Sequence, residues 1–116
     1  MSDPQVMTLL FTLFTLEGVL FICLGLPLLR GRVPPNRWYG FRTRRTLADE
    51  RTWYAVNRVS GQDMIWGGVL VLLTALVLLV LRDRLSPEQV AATFVTVTLL
   101  AVAWMVFHGY STLRRM

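Results

Sequence analysis

Three long apolar runs, set apart by charge, constrain this chain more than anything else in it. Val6 to Leu29 has only Glu17 and Cys23 as ionisable side chains, Met64 to Leu81 has none, and Val90 to Gly109 has only His108. About 20 helical residues cross the hydrocarbon layer of a bilayer. Each run therefore suits a membrane span, the second with Gln62 and Asp63 at its interface. A chain of 116 residues that is 54% hydrophobic and 16% charged is too apolar for an ordinary soluble domain. The expected fold class is all-α: a polytopic membrane protein, one membrane domain over 1–116. It has three transmembrane helices and a structured cytoplasmic loop, 30–63, that contains a short interfacial helix. The leading segment carries Asp3 and no positive charge, and no small-x-small cleavage site follows the first run. That is unlike a signal peptide, so the first run is expected to stay as a helix.

The loop holds Arg30, Arg32, Arg37, Arg42, Arg44, Arg45, Arg51 and Arg58, eight of the twelve arginines, and the chain has no lysine. Arginine near span ends marks the cytoplasmic side. The tail adds Arg114 and Arg115, whereas Arg82 and Arg84 in the 82–88 connection sit beside Asp83 and Glu88. The expected topology is multi-pass, N-terminus outside and C-terminus cytoplasmic. A net charge of +5 placed beside membrane spans points to anionic lipid headgroups, not nucleic acid.

Within the loop, Pro34-Pro35 forces an extended path. Trp38, Tyr39 and Phe41 are placed for the headgroup level, with Gly40 as a turn among them. Thr46 and Asp49 have the spacing of a capping box, which predicts a short helix from Leu47 to about Val59, ended by Ser60-Gly61. That helix either lies on the membrane surface or folds back over the cytoplasmic mouth of the bundle. Ser86-Pro87-Glu88 starts the third span with a hydroxyl cap, a proline at N1 and an acid in the first turn. Gly68 and Ala75, seven apart, suggest a close helix contact.

Glu17 is the first functional candidate, because an ionised carboxylate in mid-span is costly and rare. Its helical neighbours Leu10, Leu13, Phe14, Phe21 and Leu24 are apolar, so a partner must come from elsewhere. Three readings are open: an acid hydrogen-bonded to backbone, a proton-coupled site, or an ion pair with a loop arginine. Arg42, framed by Gly40, Phe41 and Thr43, is the loop arginine best placed to grip a carboxylate or phosphate bidentately. His108 has no second histidine, which leaves packing or a hydrogen bond. Cys23 reads as a small packing residue. No nucleophile with a base and no glycine-rich phosphate loop occurs. No enzymatic activity, cofactor or metal is expected.

The pattern Asn36-x-x-x-Gly40-x-Arg42-Thr43, followed by Thr46, Trp53, Asn57 and Gly61 before a new span, resembles the SdpI-type family of bacterial membrane proteins. In larger members this region is the C-terminal portion, preceded by further spans. The resemblance implies an immunity factor against a secreted peptide toxin. The founding member also signals, holding a small transcriptional repressor at the membrane. The positions that carry over are Asn36, Gly40, Arg42, Thr43, Trp53, Asn57 and Gly61.

The expected function is accordingly non-enzymatic immunity or signalling against a membrane-active peptide toxin. The expected partners are anionic lipid at the arginine loop, a peptide toxin, a cytoplasmic regulatory protein and further copies of the chain in a homo-oligomer. The alternatives are a small transporter or channel subunit using Glu17 and Arg42, and an accessory protein that binds anionic lipid.

Overall fold

The computed structural model describes Met1–Met116 as helices and tight connections: α1 (Asp3–Leu29), α2 (Arg44–Ala48), α3 (Glu50–Val80), a 3₁₀ turn (Arg82–Arg84) and α4 (Pro87–Arg114). Helices α1, α3 and α4 are each long and apolar enough to cross a membrane. Their starts follow from local chemistry. Ser2 and Gln5 form a capping box for α1, Ser86 and Gln89 form one for α4, and each has a proline in its first turn. The hydroxyl satisfies an orphan backbone N–H while the glutamine reaches back to the cap. Gly31 leaves α1 at φ 67°, a left-handed turn that suits glycine.

The centre of the fold is the crossing of α1 and α3. Gly18 faces Gly68, and Gly25 faces Gly61, so two glycines seven residues apart on each helix meet in antiparallel order. A Cβ on Gly61 would stand 2.5 Å from both the Gly25 carbonyl oxygen and the Leu29 nitrogen. Small residues let backbones approach this closely, and in lipid such close contact is a main source of helix association. Toward the opposite end, Ala75 and Leu78 of α3 pack with Val90 and Phe94 of α4. The Phe94 ring stacks on Phe14 at 4.5 Å and meets Phe11 edge-on at 5.7 Å. Around this interior Leu13, Leu16, Leu73, Leu76, Leu99 and Leu100 stay exposed. That pattern costs free energy in water and costs nothing against acyl chains.

The loop departs from expectation in three ways. No separate helix spans Leu47 to Val59; the short helix is Arg44–Ala48, and Glu50 onward belongs to α3. Thr46 is not an N-cap: Thr43 caps α2 and Thr46 is its third helical residue, while Asp49 caps α3. Ser60-Gly61 does not end a helix, because both residues lie buried inside α3 where Gly61 packs on α1. Helix-breaking propensity of about 1 kcal/mol for glycine gives way to a crossing that only glycine fits. Gly68 and Ala75 also serve contacts inside one chain. The molecule is 51 × 22 × 21 Å, longer than the hydrocarbon layer of about 30 Å. The loop packs on the first turns of α3, through Trp53 and Asn57.

Candidate functional site: an arginine-rimmed cap

Residues 33 to 57 build a compact cap over one end of the bundle. Asn36 starts it: its Oδ1 accepts from the backbone N–H groups of Trp38 and Tyr39, at 2.8 and 2.9 Å, and its Nδ2 donates to the Pro34 carbonyl. This is the local turn chemistry for which asparagine is suited. Gly40 follows at φ 114°, and a Cβ there would lie 2.8 Å from Asn57 Oδ1 and 3.2 Å from the Trp53 ring. The chain thus lies against α3 at a point where no side chain fits.

Asn57 and Trp53, one turn apart on α3, hold the loop from beneath. Asn57 Oδ1 accepts the Phe41 N–H at 2.6 Å, and its Nδ2 donates to the Phe41 and Trp53 carbonyls. The fully buried Trp53 donates its Nε1–H to the Val33 carbonyl at 2.8 Å. Thr43 and the fully buried Thr46 bond reciprocally, and Thr46 Oγ1 also reaches the Phe41 carbonyl. Every buried side-chain nitrogen or oxygen has a hydrogen-bond partner, which is what makes a polar interior tolerable.

Two contacts fasten the cap to α4. The Phe41 ring lies over Gly109, leaving no room for a Cβ, and meets Tyr110 edge-on at 5.1 Å. Arg45 donates to the carbonyls of Leu113 and Met116 at 2.8 and 2.7 Å, capping the end of the helix. At the N-cap of α3, hydrogen bonding from the Thr52 hydroxyl holds the Asp49 carboxyl below its ordinary range, helped by backbone N–H groups and Arg51.

Asn36, Gly40, Thr43, Trp53 and Asn57 come together in this cap. Arg42 lies exposed on its rim, and its guanidinium donates to the Arg37 carbonyl. Gly61 is outside the cap, at the α1–α3 crossing. Glu17 is remote, and its Oε2 accepts from the Thr98 hydroxyl of α4 at 3.2 Å. Glu17 makes no ion pair with an arginine; the one carboxylate–imidazole contact is Asp63 with His108, 2.7 Å apart. All eight loop arginines are exposed, as is Trp38. No group of three or more metal-ligating side chains occurs.

Sequence reasoning missed the Asp63–His108 pair, the Arg45 cap and the seat of Phe41 on Gly109. The first was findable. Asp63 opens the second apolar run and His108 closes the third, so antiparallel spans put them at one level.

Residues 32–111 match the SdpI/YfhL protein family. A 36-residue stretch is 44% identical to the "Uncharacterized protein YfhL" of Bacillus subtilis (strain 168), covering 31% of this chain and 33% of that one. The matched stretch thus spans about a third of the curated relative's length. No solved structure matches. The family match takes in the cap and the helices on which it sits, and the chain belongs to the SdpI/YfhL protein family.

Proposed function

We propose that the protein protects a bacterial cell against a membrane-active peptide toxin and signals the encounter across the cytoplasmic membrane. The N-terminus lies outside, and the cap and C-terminus are cytoplasmic. Charge supports this orientation: eight loop arginines and Arg114 and Arg115 gather at one end, and Arg45 ties loop and tail together. The observation that carries the reading is the seat of Phe41 on Gly109. A peptide that wedges between α1 and α4 shifts α4, and this contact passes the shift to Arg42 and its neighbours on the cap rim. The rim binds anionic headgroups in one state and a cytoplasmic regulatory protein in the other. Packed contacts with two discrete arrangements transmit such changes. A second copy of the chain completes the assembly through the exposed apolar faces.

Growth of a toxin-sensitive host tests the reading. Expression of the wild type is expected to rescue growth, and Gly109→Leu, which unseats Phe41, is expected to abolish rescue while the protein still inserts. Full sensitivity with verified insertion of the wild type removes the proposal.

The Glu17–Thr98 hydrogen bond favours one second reading, a small transporter or channel subunit with a polar pair inside the bundle. Proton or solute flux in liposomes, absent with Glu17→Gln, is its signature. Flux no greater than in empty liposomes excludes it.

A further inference from the structure

On the lipid-facing side, α3 and α4 enclose a cleft of about 190 Å³ lined by Asp63, Trp66, Gly67, Leu70, Leu100, Ala101 and Trp104. Its walls are apolar apart from one carboxylate. Asp63 is only 6% exposed. Its Oδ2 is held by His108 at 2.7 Å, and no group in the chain bonds Oδ1. Fully buried side-chain oxygens in this protein all have partners, so Oδ1 opens to the cleft. No arginine pairs with Asp63. His108 meets Oδ2 alone and leaves Oδ1 without a hydrogen bond. The His108 ring is itself held by stacking on Trp104, at 4.9 Å.

We infer that this cleft binds the ammonium headgroup of an amine-bearing phospholipid of the phosphatidylethanolamine type. A carboxylate oxygen that opens only onto an apolar cleft calls for a cation or donor. Trp66 and Trp104 line the same cleft, and indole rings attract cations. The volume is below the roughly 300–1,000 Å³ of sites that engulf a whole small molecule, so a headgroup enters and the acyl chains remain outside. Their path is marked by Leu70 and Leu100, 47% and 65% exposed, which continue from the carboxylate into the apolar span. Asp63 lies just ahead of the uncharged part of α3, Met64–Val80, where the polar first half of the helix gives way to the apolar span.

Stepwise removal of lipid from the full chain, taken from bilayers of equal phosphatidylethanolamine and phosphatidylglycerol, tests this by mass measurement of the intact complex. The arginine rim favours phosphatidylglycerol, so a residual amine lipid needs a dedicated site. The last lipid retained is expected to be phosphatidylethanolamine, by roughly fivefold or more. Asp63→Asn is expected to abolish the preference, and Asp83→Asn, on the opposite connection, to keep it. Leu100→Trp, which fills the cleft without altering charge, is expected to act like Asp63→Asn and decides the matter if the latter fails to fold. Equal retention of both lipids, a preference that survives both cleft variants, or a basic peptide retained at Asp63 instead overturns the inference.

Discussion

Asn57 clamps Phe41 by both of its backbone groups, accepting the Phe41 N–H at 2.6 Å and donating to the Phe41 carbonyl at 3.3 Å. A single helical side chain thereby satisfies two backbone groups of a loop sixteen residues earlier. Asn57→Ala leaves the Phe41 N–H without its partner, while the Phe41 carbonyl keeps only the Thr46 hydroxyl. A buried group deprived in this way costs about 1–3 kcal/mol. The expected result is a loss of that order in denaturant unfolding in detergent, with faster proteolysis at residues 37–45. Unchanged stability and cleavage contradict a clamp.

Two glycines of α3 look alike in sequence and differ in what surrounds them. A Cβ at Gly61 meets backbone atoms of α1, whereas one at Gly67 meets the terminal methyl of Met105, both at 2.5 Å. Backbone cannot move aside without parting the helices, and a methionine tip can. Gly61→Ala is expected to destabilise by about 1–3 kcal/mol through overpacking, and Gly67→Ala by well under that. Chemical unfolding of both variants in one detergent checks the order; equal losses refute the crossing as drawn.

That difference marks how far this sequence can be read. The three spans were legible because Val6–Leu29, Met64–Leu81 and Val90–Gly109 have almost no charge to interrupt them. Glu17 was legible as a group needing an outside partner, and Thr98 of α4 supplies one. The grouping of Asn36, Gly40, Trp53 and Asn57 came from family resemblance, since no local rule links a turn to a helix face 16 residues on. Ser60-Gly61 read as a stop because propensity is local, while the demand for a glycine comes from α1. Thr46 and Asp49 have capping-box spacing, and so does Thr43 with Thr46; the extended backbone at Thr43, φ −130° and ψ 170°, decides between them.

The Asp49 carboxyl carries a pH signature. Hydrogen bonding by the Thr52 hydroxyl, foremost, lowers it from an ordinary value of 3.8. A depressed carboxyl contributes stability that is fully present above the ordinary value and is lost as pH falls through the lowered one. Carboxyl-carbon NMR of Asp49 is expected to show a midpoint below 3.8, and Thr52→Val is expected to raise it toward that value. A midpoint unmoved by Thr52→Val assigns the shift to some other cause.

Glu17 separates a structural role from a functional one. Its Oε2 accepts a hydrogen bond from Thr98 across α1 and α4, and the amide oxygen of Gln can accept the same bond. Glu17→Gln is therefore expected to leave stability within about 0.5 kcal/mol of wild type, because one oxygen acceptor replaces another in a side chain of the same shape. Glu17→Leu removes a polar group from the span and leaves the Thr98 hydroxyl free to bond the backbone of its own helix, so it too is expected to fold. If the carboxyl serves only to join α1 to α4, Glu17→Gln keeps protection against the toxin. If protection or flux requires a group that can gain and lose a proton, both variants lose it at undiminished stability. Unfolding curves and growth rescue measured on the same two variants distinguish these outcomes: activity lost together with stability assigns Glu17 to the scaffold, and activity lost alone assigns it to function.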